Sequence, residues 1–225
     1  MLFRSSSCHG FHGVKAVKNP GSSVYPLHVA DTCGQCHANA DYMKDYKIPT
    51  DQVAKWKSSV HGDAMLKKQD LSAPTCNDCH GNHGAAPPSI ASVANICGTC
   101  HVRQSQLFQK SPHAKPFQAL DSGACIQCHS NHGIQHPTDA MLGVGKESVC
   151  TECHFEGTGS YKGAAAMSAK LADLAGRIDK ADQLLQEAAN DGMEVGGAQF
   201  DLKDARNKLI DARVLIHGFS PKELD

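Results

Sequence analysis

Five copies of the pattern Cys-x-x-Cys-His dominate the chemistry that this sequence offers. The spacing is that of a c-type haem attachment site, in which two thiols form thioethers to haem vinyl groups and the adjoining histidine binds the iron. The cysteines of these motifs are Cys33, Cys36, Cys76, Cys79, Cys97, Cys100, Cys125, Cys128, Cys150 and Cys153. The predicted proximal iron ligands are His37, His80, His101, His129 and His154.

Zinc binding and disulfide formation are the alternative uses for 11 cysteines beside 14 histidines. A disulfide framework does not require a histidine after each cysteine pair. Tetrahedral zinc needs four ligands from paired half-sites, and its chemistry does not fix a histidine directly after the second cysteine. Because every pair is followed by that histidine, the sequence predicts haem c at all five motifs.

The motifs recur in three repeat units, and each unit adds two spare histidines. These are His12, His83 and His132 after the first motif of each unit, and His61, His113 and His217 after the second. A histidine three residues beyond the proximal ligand cannot reach the opposite face of the same iron, so we expect it to bind a neighbouring haem. Six recurrent spare histidines match six potential haem sites, which predicts bis-histidine ligation. His28 and His136 do not recur, and we assign them to the surface or to packing.

The first repeat departs from the pattern, because Ser5 stands where the first cysteine is expected. Cys8 and His9 stay in register. Three explanations remain open: a sixth haem held by one thioether with His9 as its ligand, a decayed site without haem, or a truncated start that carries unrelated residues. We favour a sixth haem site in the ancestral pattern.

The elements that must position these residues are mostly helical, with much irregular structure. Residues 1–161 form the predicted multihaem domain, and they are poor in large aliphatic side chains, so we expect stacked haems to supply the core. Short helices are predicted at 52–67, with Thr50 or Asp51 as N-cap, and at 104–109. Turn-rich spacers at 19–23, 73–74, 85–89 and 136–138 are predicted loops.

Residues 162–225 form a predicted antiparallel helical hairpin that returns His217 towards a haem. Apolar residues recur there at alternating steps of three and four, which predicts a coiled-coil-like seam. The seam residues are Met167, Leu171, Leu174, Ile178, Ala181, Leu185, Ala188, Leu202, Ala205, Leu209, Ala212 and Ile216.

The formal net charge of −1 argues against a nucleic-acid partner. No stretch is long and apolar enough to span a membrane, and no secretory signal is visible at the start. Since cytochromes c mature outside the cytoplasm, we expect a fragment, a mature form or a gene start placed too late.

The doubled motifs with spare histidines resemble the multihaem cytochromes c, in the style of the tetrahaem class III cytochromes. The pattern Ser-Val-His-Gly at 59–62 followed by Cys-Asn-Asp-Cys-His-Gly-Asn-His-Gly at 76–84 is similar to bacterial periplasmic cytochromes of respiratory chains. The resemblance implies electron transfer, bis-histidine haems and export.

We therefore predict a periplasmic or extracytoplasmic electron carrier with five haems c, and a candidate sixth at Cys8 and His9, rather than an enzyme. Its expected partners are redox proteins, either donor and acceptor cytochromes or a membrane quinol-oxidising complex. One alternative is a multihaem reductase of nitrite, hydroxylamine or a sulfur oxyanion, which requires an iron with an open site. Another is the electron-input module of a membrane complex.

Overall fold

The computed structural model describes residues 5–83, 96–119 and 123–224. These residues form helices, short 3-10 turns and irregular segments, and none of them belongs to a β-strand. The predicted mostly-α architecture is confirmed, whereas a core of stacked haems stays a prediction. Gly84 and the predicted loop at 85–89 lie outside the described residues.

Eleven helices with bounds in the described part of the chain are numbered in order. They are α1 Ser5–His9, α2 Pro26–His37, α3 Ala40–Met43, α4 Gln52–Lys57, α5 Val60–Leu66, α6 Cys76–His80, α7 Val102–Lys110, α8 Ala114–Ala119, α9 Ala124–His129, α10 Gly159–Asn190 and α11 Gly196–Leu215. Short 3-10 turns lie at Lys44–Tyr46, Asp139–Met141, Val149–Glu152, Ile216–Gly218 and Pro221–Leu224.

The chain divides into two compact units. The first comprises Met1–Ile96 with Cys125–His136, and the second comprises Cys97–Ala124 with Pro137–Asp225. The helical hairpin therefore belongs to a unit that also contains two complete haem motifs. The domain boundary between residues 161 and 162, drawn from the change in composition, stays a prediction.

The single helix predicted at 52–67 is wrong, because α4 and α5 are separated at Ser58 and Ser59. Ser59 adopts an extended backbone, and its hydroxyl accepts a hydrogen bond from the backbone N–H of Gly62 at 3.1 Å. A Cβ at Gly62 would lie 2.1 Å from the carbonyl oxygen of Trp56, so the turn between the helices requires glycine there. Asp51 holds the N-cap position of α4, although its side chain makes no capping hydrogen bond.

The first unit has a small side-chain core. Ala30, Trp56 and Met65 are buried together, and the indole N–H of Trp56 donates to the carbonyl of Pro74 at 3.2 Å. The first cysteine of α6, Cys76, packs against this cluster. An attachment cysteine thus contacts the core of the first unit, and this core contains little large aliphatic surface.

The second unit is organised around α10 and α11, whose facing sides form its hydrophobic core. Every residue of the predicted seam except Ala188 belongs to this core, so the helical hairpin is confirmed. Leu142 and Cys150 also pack against it. The seam therefore supports the motif that begins at Cys150.

The helix predicted at 104–109 is confirmed with slightly wider bounds as α7. Of the helices in the described ranges, none combines the length and the apolarity that crossing a membrane would require.

Candidate functional site

Four of the motif segments, including the degenerate one, lie at the C-terminal end of a helix. In each, the motif histidine is the last residue of that helix. These segments are α1, the end of α2, α6 and α9. In each, the residue after the histidine donates its N–H to the carbonyl of the second motif residue. These bonds join Gly10 to Ser6, Ala38 to Gly34, Gly81 to Asn77 and Ser130 to Ile126, at 3.0, 3.0, 2.9 and 2.8 Å. Residues three and four apart are neighbours on a helix surface, so both thiols and the imidazole of a complete motif share one face.

In the two remaining motifs the histidine lies just outside a helix or 3-10 turn. The N–H of His101 donates to the carbonyl of Cys97 at 2.9 Å, and that of His154 donates to the carbonyl of Cys150 at 2.9 Å. Ser148 orients the second of these turns, because its buried hydroxyl accepts from the N–H of Cys150 at 3.1 Å. Both local geometries bring the histidine back beside its own cysteines.

The structure brings predicted proximal histidines together with spare histidines of other motifs. The rings of His80 and His132 are stacked, with centroids 5.9 Å apart and planes inclined by 6°. The rings of His113 and His154 have centroids 5.7 Å apart, and their Nε2 atoms are separated by 3.4 Å. In the second unit, His101 interacts electrostatically with His217.

A third ring pair joins the histidine of the degenerate motif to the spare histidine that follows the motif of α6. The centroids of His9 and His83 are 6.2 Å apart, with planes inclined by 30°. His83 thus lies beside the histidine of another motif, as does His132.

The other predicted ligands are placed individually. His37, His61 and His129 are half-buried, and His12 is exposed. The two histidines assigned to the surface or to packing, His28 and His136, are both exposed. The Nδ1 atom of His28 lies 2.8 Å from the carbonyl oxygen of Ser22.

Burial favours the neutral imidazole in three of the spare histidines, because it lowers the pKa of His113, His132 and His217. Burial, and then the nearness of His154, lower the pKa of His113. Burial and His80 lower the pKa of His132 in the same way. Burial also lowers the pKa of His217, although a hydrogen bond to the backbone raises it in part. A metal ligand must be neutral imidazole, so these surroundings suit ligation.

The ring nitrogens that face away from the pairs differ in their surroundings. Nδ1 of His217 lies 2.9 Å from the carbonyl oxygen of Val214, the kind of contact that fixes the tautomer of a ligating histidine. Within the described residues, Nδ1 of His113 is buried without a hydrogen-bond partner. Its ring is instead held by Phe219, at a centroid distance of 4.1 Å, and by Phe117, at 5.8 Å.

Buried serines two positions before a spare histidine were missed by the sequence analysis. The hydroxyl of Ser111 accepts from the N–H of His113 at 3.2 Å, and Ser59 stands in the same place before His61. Both serines are nearly inaccessible to solvent. The shared Ser-x-His spacing at 59–61 and 111–113 was the signal that could have identified them.

The first cysteines of two different motifs meet in the first unit. A hydrogen bond between the Cys33 and Cys76 thiols, followed by burial, raises the pKa of Cys33 above its usual value. The same bond lowers the pKa of Cys76 to about 7, against the effect of burial. Two attachment cysteines of neighbouring motifs are therefore in direct contact.

The last turn of the hairpin is anchored by charged pairs within the second unit. Arg213 donates two hydrogen bonds to Asp139, at 2.9 and 2.8 Å, and Arg103 donates to Asp211 at 2.9 Å. These groups are about half exposed, so each pair contributes less than about 1 kcal/mol. Their role is to fix where the chain turns towards His217.

The donor set fits a haem. No group of three or more His, Cys, Asp or Glu side chains converges for direct metal binding anywhere in 5–83, 96–119 or 123–224. Imidazoles meet in twos, as axial haem ligation requires, and one member of each pair adjoins an attachment cysteine. The Nε2 atoms of His113 and His154 lie 3.4 Å apart, so ring nitrogens from two different parts of the chain face each other.

Comparison with protein families gives one finding. Residues 96–176 match the model of the family described as cytochrome c554 and c-prime. The matched segment contains the motifs that end at His101, His129 and His154, and it supports a multihaem c-type cytochrome with an electron-transfer role and haem c as cofactor. No curated protein and no solved structure matches the chain.

Proposed function

We propose that this multihaem c-type cytochrome carries electrons in a respiratory or other extracytoplasmic chain, through five haems c held between pairs of histidines. The observation that carries the proposal is the pairing of proximal with spare histidines, most directly His113 with His154. Each pair draws its two imidazoles from different motifs. The complete Cys-x-x-Cys pairs would provide the covalent attachment.

Haem c supplies one-electron chemistry at its iron, and two imidazole ligands favour a low reduction potential. The paired histidines would both bind the iron, which would leave no open position for a substrate. Neutral, partly buried imidazoles such as His132 and His217 are ready to ligate without first losing a proton. These features favour an electron carrier over a reductase.

Short separations between attachment sites support electron transfer along the chain. Cys33 and Cys76 belong to consecutive motifs, yet their side chains lie next to each other. The motifs that follow Cys79 and Cys128 come about 20 residues later in the sequence. Closely spaced attachment points favour rapid transfer between neighbouring groups.

The expected partners are donor and acceptor redox proteins, or a membrane quinol-oxidising complex, outside the cytoplasm. The near-zero net charge gives no single dominant sign for steering a partner. Partner choice would therefore depend on local surfaces around individual haems.

The test is to produce the chain with the haem-attachment machinery and to measure haems per chain by intact mass under denaturing conditions. The proposal expects at least five covalent haems and ferric electron paramagnetic resonance spectra dominated by low-spin signals. A count below five contradicts it. A stoichiometric high-spin ferric signal would instead favour the reductase alternative, because it reveals an iron with an open position.

A further inference from the structure

The degenerate segment Ser5–His9 has the backbone of a complete motif. Like α6, it is a five-residue helix that ends on histidine. The glycines that follow, Gly10 and Gly81, have φ of +78° and +79°, and both donate to the carbonyl of the second motif residue. The segment therefore has the local geometry of an attachment site, although Ser5 stands in place of the first cysteine.

The surroundings of Cys8 also suit attachment. Its side chain is exposed, and the hydroxyl of Ser23 holds the Cys8 backbone through a hydrogen bond to its carbonyl. Cys8 is thus accessible, and its backbone carbonyl is hydrogen-bonded.

The histidines follow the same register as the intact sites. His80 lies beside His132, the spare histidine that follows the motif of α9. His9 lies beside His83, the spare histidine that follows the motif of α6. In both cases the proximal position of one helical motif meets the spare position of a later one. The Ser5–His9 site consequently has two imidazoles and one thiol.

We infer that Ser5–His9 is a sixth haem c site, with a single thioether from Cys8 and with His9 and His83 as the two axial ligands. The inference rests on the proposed function and extends it to a position without a complete motif. Because His83 follows the motif of α6 by three residues, it would link the haem at Ser5–His9 to the segment that carries that motif.

The attachment step balances without an added oxidant. The S–H of Cys8 adds across one haem vinyl group: the sulfur bonds to the vinyl carbon next to the ring, and the hydrogen goes to the terminal carbon. Nothing is released, and the iron keeps its oxidation state. The second vinyl group finds Ser5 in place of a thiol and stays unsaturated.

The first experiment compares wild type with C8A by intact mass under denaturing conditions, after maturation with the haem-attachment machinery. The inference expects six covalent haems in wild type and five in C8A. Five haems in wild type together with a Cys8 thiol that reacts with an alkylating reagent overturns it. A sixth haem that is lost on denaturation overturns it as well, whereas fewer than five covalent haems overturns the proposed function instead.

The second experiment uses the absorption band of the reduced pyridine complex, which moves to longer wavelength when a vinyl group remains. S5C completes the motif and should retain six haems while moving the band of one of them to shorter wavelength. S6C adds the same thiol one residue out of register and should leave the band unchanged. Equal spectra for S5C and wild type contradict a single thioether.

The third experiment assigns the distal ligand. H83M should keep six covalent haems and replace one bis-histidine low-spin signal by that of a histidine–methionine haem. In the C8A background, H83M should produce no further spectral change. A change that persists in C8A shows that His83 ligates another iron and overturns the assigned pair.

Discussion

The Nε2 atoms of His113 and His154 face each other at 3.4 Å, although the residues are 41 positions apart in the chain. His154 directly follows Cys153 of its motif, whereas His113 belongs to the spacer after a different motif. Folding, rather than local sequence, joins them. The same principle relates His80 to His132, so a haem attached at one motif would be completed by a ligand from another.

Replacing His113 by methionine should change one haem only. Thioether ligation favours the reduced iron relative to imidazole, so H113M is expected to raise one potential by about 0.1 to 0.3 V, within the roughly 0.8 V range that axial ligands span. Spectroelectrochemical titration measures this change. The matched control is H28M, because His28 is exposed and does not recur. Equal titration curves for H113M and wild type would remove His113 from the ligand set.

Removing His132 should open the haem attached at Cys76 and Cys79, although His132 lies in the segment that follows Cys128. H132A is expected to convert one low-spin ferric signal to a high-spin signal, because the ring that stacks on His80 is lost. Electron paramagnetic resonance counts the high-spin iron.

Adding H132A to the variant C76A/C79A tests which iron His132 ligates. Without that attachment site, adding H132A should produce no further high-spin signal. A new signal in this background would mean that His132 ligates the iron of its own motif, contrary to the pairing seen here.

Ser59 should stabilise the turn that carries His61. Its buried hydroxyl caps α5, so Ser59→Ala is expected to cost about 1 kcal/mol of unfolding free energy. Ser58→Ala is the matched control, since Ser58 is exposed and its loss should cost less than about 0.5 kcal/mol. Guanidinium unfolding of the haem-loaded protein measures both. Equal costs for the two variants would exclude a positioning role for Ser59.

Substitutions in the hairpin seam should destabilise the protein more than substitutions on its exposed face. Leu209 is 8% exposed and Ile210 is 58% exposed, although they are adjacent. L209A is expected to cost about 2 to 5 kcal/mol, whereas I210A should cost less than about 1 kcal/mol. Thermal unfolding of the two variants measures the difference.

L209A should also disturb the haem proposed to lie between His101 and His217 before the others, because α11 leads directly to His217. The redox titration of each haem in L209A tests this expectation. A loss of stability without any preference for that haem would separate the hairpin from ligand positioning.

The sequence was most informative where chemistry or periodicity acts locally. The attachment motifs are set by covalent spacing within five residues. The hairpin seam follows from the helical period, and only Ala188, near the end of α10, falls outside the core.

Long-range relations could not be predicted from spacing. The partners of His80 and His154 depend on how distant segments pack, and no local pattern encodes that packing. The break between α4 and α5 was missed because Ser58 and Ser59 interrupt an apolar pattern that otherwise continues. The close approach of Gly62 to the carbonyl of Trp56, which requires glycine, becomes visible only in three dimensions.

The most direct test of the central claim is a crystal structure of the haem-loaded protein that identifies the axial ligands of each iron. We expect His80 with His132 on one iron, His154 with His113 on a second, and His101 with His217 on a third. An iron of these three that carries water, or a histidine from outside its assigned pair, would contradict the account.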